Sequence, residues 1–138
     1  MEAVSRGAKE AGGRTYGVTA EFFKTAKLNA WIDVEVRAKT WEERLFELIR
    51  CADAFVACKG GTGTLVELAV VWEMLNKSVM TAKPFAVLGD FWTPVLDRVR
   101  EVELGHPAPW GEANGRLVYV ATSPGDVASH LTAKLKQT

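Results

Sequence analysis

A chain of 138 residues with 48% hydrophobic and 25% charged side chains is long enough to bury a core and too ordinary in composition for a disordered or fibrous protein. Its seventeen basic and seventeen acidic residues cancel, which argues against non-specific binding to nucleic acid or to an anionic membrane while leaving room for a local basic pocket. No apolar run approaches the ~18–20 residues of a membrane span, the opening MEAVSRGAKEAGG lacks the apolar centre of a secretion signal, and Cys51 and Cys58 match no metal or redox spacing.

In chain order, residues 2–11 read as a helix ended by Gly12 and Gly13. RTYGVT (14–19) and DVEVR (33–37) read as strands. Residues 40–51 form an amphipathic helix with Trp41, Leu45, Leu48, Ile49 and Ala52 on one face. DAFVAC (53–58) is a continuous apolar run, as expected of a strand covered on both faces. A helix follows over 64–76, in which Trp72, Met74 and Leu75 have core spacing. PFAVLG (84–89) is a strand opened by proline, 93–103 a helix, and HPAPWGEANG (106–115) a loop. RLVYVA (116–121) is a strand, and 123–136 the last helix, with Ser123 as N-cap and Pro124 in the first position. Cys51 and Cys58 then fall at a helix end and in a buried strand, as structural thiols of a reducing cytoplasm. His106 and His130 read as surface residues.

Alternating helices and strands predict an α/β fold, a doubly wound parallel sheet. No repeat, low-complexity tract or linker interrupts residues 1–138, which read as a single domain. Such sheets begin with a strand, yet this chain begins in a helix, as though it started in mid-fold.

The segment CKGGTGTLVELAVVWEML (58–75) carries the chemistry. It places Gly60, Gly61, Thr62, Gly63 and Thr64 between the carboxyl end of a strand and a helix, where open α/β sheets bind ligands. Free N–H groups at a helix start favour an anion, glycine lets the backbone approach it, and threonine adds hydroxyl donors. The spacing is neither a Walker A loop nor G-x-G-x-x-G, so a phosphate is indicated and a nucleoside triphosphate or dinucleotide is not. Lys59 can add one positive charge. A tight corner alone would also explain glycine here. Thr64-x-x-Glu67 reads as a capping box, repeated at Thr40-x-x-Glu43, and in that reading Glu67 serves its own backbone. Arg44 flanks the apolar stripe of its helix, beside Glu43 and Glu47; its functional reading requires that helix start to reach the same pocket mouth.

Taken together these residues resemble the LOG family of nucleotide phosphoribohydrolases, also called lysine decarboxylase-like. The family marker P-G-G-x-G-T-x-x-E reads KGGTGTLVE at 59–67, with Lys59 in the proline position. A second marker, M-H-x-R-K at a helix start, is matched by WEERL (41–45), with Glu42 in the histidine position. The interval from Arg44 to Gly60 is that of the family. The opening residues resemble the helix and strand that follow the family's first glycine-rich segment, so the usual first strand, helix and second strand are expected to be missing from this sequence.

The resemblance implies a Rossmann-like three-layer fold, usually dimeric, that hydrolyses a nucleoside 5′-monophosphate such as AMP or a cytokinin ribotide to free base and ribose 5-phosphate. Carried onto this sequence, it implies that Gly60 to Thr64 hold the 5′-phosphate and that Arg44 and Glu67 form the catalytic pair. No metal or other cofactor is required, and no lysine has a pyridoxal-phosphate setting to support decarboxylation. A carboxylate suits the chemistry, since cleavage passes through an oxocarbenium-like state that it stabilises while positioning water. No residue stands out as the acid for the leaving base. A non-catalytic binder of a nucleotide or phosphorylated cofactor, and a scaffold with an unused pocket, are the alternative readings.

Overall fold

The computed structural model describes residues 1–22, 28–108 and 110–137. Its contacts divide into two compact units, Met1–Cys51 and Ala52–Thr138.

In the first unit, α1 (Glu2–Glu10) leads to β1 (Tyr16–Ala20), and β2 (Val34–Ala38) to α2 (Trp41–Arg50). Helix α1 stops where Gly12 adopts φ +79, a left-handed conformation that glycine takes without penalty. The strands pair in parallel, from Tyr16 opposite Val34 to Ala20 opposite Ala38. Asp33 ties this unit together. Its carboxylate accepts from the Thr15 amide at 2.8 Å, the Thr15 hydroxyl at 2.9 Å and the Lys9 ammonium. Those donors, Lys9 first, lower its pKa to about 2.

Helix α2 has the Thr40 cap its sequence announces, with the return bond of the expected capping box shifted one residue toward the N-terminus. The Thr40 hydroxyl accepts from the Glu43 amide at 3.2 Å, and the Glu43 carboxylate reaches back to the Lys39 amide at 2.8 Å. Leu45 and Ile49 of the expected stripe are buried, but Trp41 is 46% exposed. Helical side chains lean toward the N-terminus, and at the first position no preceding turn lies beneath the ring. Cys51, expected to be buried, is exposed at the C-cap, where its thiol donates to Glu47.

In the second unit, β3 (Phe55–Ala57), α3 (Thr62–Asn76), β4 (Phe85–Leu88), α4 (Thr93–Leu104), α5 (Trp110–Gly115), β5 (Tyr119–Ala121) and α6 (Pro124–Leu135) follow in order. The strands are parallel and ordered β3-β4-β5. The middle strand is the core: Phe85, Ala86 and Val87 are almost wholly buried, together with Leu68, Val71, Trp72 and Leu75 of α3 and Leu96 of α4. The β3 run does not behave as a strand covered on both faces, because Val56 is 42% exposed. In this sheet β3 is a flank paired to β4, and composition alone does not separate a flank from a centre. Cys58, just beyond β3, is half-buried.

The stretch expected to be a loop at 106–115 contains α5. Packing holds the short helix: a Cβ on Gly111 would meet the Glu103 carbonyl oxygen at 2.4 Å, and buried Asn114 donates to Asn76, which donates to Glu103 at 2.9 Å. Helix α6 starts as read, with the Ser123 hydroxyl accepting from the Asp126 amide at 3.1 Å and proline in the first turn. His106 is exposed as expected, whereas His130 is half-buried and stacks on Tyr119, centroids 4.0 Å apart.

Parallel strands flanked by helices make this an α/β, Rossmann-like fold. Among the described residues, no helix is long and apolar enough to cross a membrane.

Candidate functional site

The glycine loop leaves the carboxyl end of β3 and becomes α3 sooner than the sequence suggests. The N-cap is Gly61, in extended conformation, and no side chain caps the helix. Thr62, Gly63 and Thr64 form the first turn, whose N–H groups have no carbonyl one turn earlier to bond. Thr64 is therefore the third helical residue, and the expected capping box with Glu67 does not exist. Glu67 lies four residues after Gly63 and three after Thr64, on the same helix face. It is half-buried. Its backbone position is one turn along from the helix start.

The three loop glycines have different reasons to be glycine. A Cβ on Gly60 would fall 2.2 Å from the Thr64 Oγ1 and 2.7 Å from its Cβ, so Gly60 is required by the protein's own packing. At Gly61 and Gly63 nothing lies within 4 Å of that position, and neither has a positive φ. Neither strain nor internal packing asks for glycine at these two positions. An incoming ligand that needs bare backbone would.

The second wall comes from the carboxyl end of β4, which the sequence reading passed over. Gly89, at φ +78, turns the chain out of the strand while its amide donates to the Ala121 carbonyl at 2.8 Å. Trp92, 4% exposed, then donates its indole N–H to the Cys58 carbonyl at 3.0 Å and pins this turn to the start of the glycine loop. Phe91 packs edge-on against Trp92 and stays 44% exposed, with the Lys59 ammonium 5.4 Å from its ring centre. Lys59 is thereby placed over an aromatic face beside the loop. The signal was present as a glycine closing a strand and followed by two aromatics. It becomes legible only once β4 is known to neighbour β3.

Arg44 is the fourth residue of α2, half-buried, in the first unit. Glu67 and the loop belong to the second. Two residues of the Arg44 marker are otherwise engaged. Glu43 is spent on the cap, and Glu42 has its pKa lowered by its own backbone amide and by the Thr40 hydroxyl. Glu42 is a carboxylate at neutral pH and no proton donor.

A Rossmann-like α/β protein whose helix start is opened by glycine at the end of a parallel strand presents free backbone N–H groups where folds of this class hold small anions. The family model described as possible lysine decarboxylase matches residues 1–131, and the chain belongs to that family. Among solved structures it is similar to the molybdenum cofactor carrier protein of Chlamydomonas reinhardtii, at 19% identity and a TM-score of 0.63 over 97% of this chain and 69% of the carrier. At that identity the likeness shows the fold. None of the curated proteins matches.

Proposed function

We propose that this protein hydrolyses the N-glycosidic bond of a nucleoside 5′-monophosphate. The observation that carries the reading is the pair Gly61 and Gly63, with open space at the Cβ position above an uncapped helix start and Glu67 one turn along the same face. In this reading the amides from Gly60 to Thr64 hold the 5′-phosphate and supply binding energy remote from the reacting carbon. Glu67 faces the ribose, stabilises the positive charge that develops as the bond to the base breaks, and positions the water that adds to C1′. Arg44, always protonated, orients the sugar or the carboxylate from α2. The proposal needs both units to act as one Rossmann-like domain. A cytoplasmic homodimer with no metal or other cofactor belongs to the same reading.

A second reading is favoured by the likeness to a cofactor carrier, by Lys59 in the marker's proline position and by Glu42 in its histidine position. The same loop would then hold a phosphate-bearing ligand without turnover.

Glu67→Gln decides between them. Base release from AMP should fall at least about a hundredfold, the usual worth of a positioned acid–base group. The melting temperature should barely move, because glutamine keeps the size, helix propensity and hydrogen-bonding reach of the side chain it replaces. Undiminished release in the variant would refute its catalytic role. If AMP raises the melting temperature of the unaltered protein but no base appears on long incubation, the carrier reading stands. If AMP does neither, both readings fail.

A further inference from the structure

At the opposite end of the second unit's sheet lies a cavity of about 750 Å³, within the size range of small-molecule sites. It opens at Phe85 and Tyr119, the amino ends of β4 and β5. The glycine loop leaves β3 after Ala57, which pairs with Val87 near the other end of β4, so the two places do not overlap. Lys83, Arg100, Arg116 and Lys134 line the cavity, and no carboxylate is among its lining residues that the structure describes. In a protein of zero formal net charge, that concentration of one sign is local.

Part of it has a structural reason. The cavity lies at the C-terminal ends of α4 and α6, where basic side chains offset the helix dipole. Two helix ends account for about one unit of charge in all. Arg100 is held in place by the backbone, donating Nε to the Gly115 carbonyl at 3.0 Å and a terminal nitrogen to the Val118 carbonyl. The carbonyl oxygens fix its orientation, and the Asp97 carboxylate pairs with its other terminal nitrogen at 3.5 Å, which offsets part of its charge. Lys83 is likewise held by a neutral acceptor, the Ala52 carbonyl.

The remaining wall is flat and aromatic. The Tyr119 and His130 rings are stacked within 3° of parallel. The Tyr119 phenol donates to Asp126 at 2.9 Å, which raises its pKa and keeps it neutral, so the wall gains no negative charge from it. Guanidinium and ammonium groups on a concave, half-apolar surface focus a positive field, and a guanidinium fork matches phosphate oxygens.

We propose that this cavity is a second ligand site, for a phosphate-bearing small molecule of nucleotide size, lying at the amino ends of β4 and β5 and separate from the glycine loop. Its phosphate would face Arg100, Arg116 and Lys134, and its flat part the stacked Tyr119 and His130 rings.

The test is residue-resolved amide NMR of the full chain with inorganic pyrophosphate, AMP and adenosine. Pyrophosphate and AMP should shift the amides of 116–119 and of Lys134, and adenosine should not. The double variant R116Q/K134Q, both positions exposed, should keep the amide dispersion of the folded chain and lose those shifts, with affinity at that site at least about tenfold weaker. Shifts confined to 60–64 in the unaltered protein would overturn the proposal while leaving the glycine-loop reading intact. Shifts at 116–119 that persist in the double variant would also overturn it. So would a response of that segment to a glutamate-rich peptide but not to pyrophosphate, which would assign the surface to an acidic polypeptide.

Discussion

Gly63→Ala separates what the helix needs from what a ligand needs. Gly63 is the second residue of α3, with ordinary helical φ and nothing within 4 Å of a Cβ. Alanine there removes unfolded-chain entropy that glycine must lose and should stabilise the ligand-free protein by about 0.5–1 kcal/mol. At about 2.1 cal/mol/K of unfolding entropy per residue, that is a rise of about 2–4 °C in melting temperature. The same methyl group occupies the space assigned to the phosphate. A tenfold loss of affinity would cut the stabilisation by AMP at 100 times the unaltered Kd from about 2.7 to about 1.4 kcal/mol. Thermal denaturation with and without AMP reads both numbers. The expected pattern is a higher baseline and a ligand shift reduced to about half. A higher baseline with an undiminished ligand shift would show that the phosphate does not sit over those amides. A lower baseline would show that the space is not open.

Gly60→Ala should do the reverse, since its Cβ would collide with the Thr64 side chain at 2.2 Å and 2.7 Å. Overpacking of this kind costs about 1–3 kcal/mol, and the ligand-free melting temperature should drop; a neutral result would mean that Thr64 is not seated against the loop. Asp33 makes the first unit acid-sensitive in a defined window. Its pKa of about 2 lies below the unfolded value near ~3.9, so its contribution is complete above the unfolded pKa and is lost as pH falls toward about 2. Urea denaturation followed across pH 5 to 2 should show a shallower acid loss in Asp33→Asn than in the unaltered chain, and equal slopes would remove Asp33 from the account.

The same four-residue pattern was legible at one helix and misleading at another. Thr40-x-x-Glu43 does cap its helix, Thr40 accepting from the Glu43 amide and Glu43 from the Lys39 amide, because α2 begins where its apolar stripe begins. Thr64-x-x-Glu67 does not, because the glycines ahead of it are compatible with helix and α3 starts two residues earlier, at Thr62. The capping pattern is local, but which residue begins the helix depends on what the loop packs against, here Gly60 against Thr64. The helix inside 106–115 escaped for a similar reason. Its composition is that of a turn, and its stability comes from α4 beneath Gly111 and from Asn76 at the end of α3, which accepts from Asn114.

Sequence by itself determined the alternation of helices and parallel strands, the place of the glycine loop at the carboxyl end of a strand, the caps at Thr40 and Ser123, and the family to which the chain belongs. These follow from periodicity, turn chemistry and short motifs, which act over a few residues. Only tertiary structure decided that Phe91 and Trp92 wall the loop, that Gly60 is structural while Gly61 and Gly63 are open, that Trp41 and Cys51 face solvent, and that Lys83, Arg100, Arg116 and Lys134 share one cavity. Those residues come from separate elements. They meet because parallel strands place all their amino ends on one edge of the sheet and all their carboxyl ends on the other.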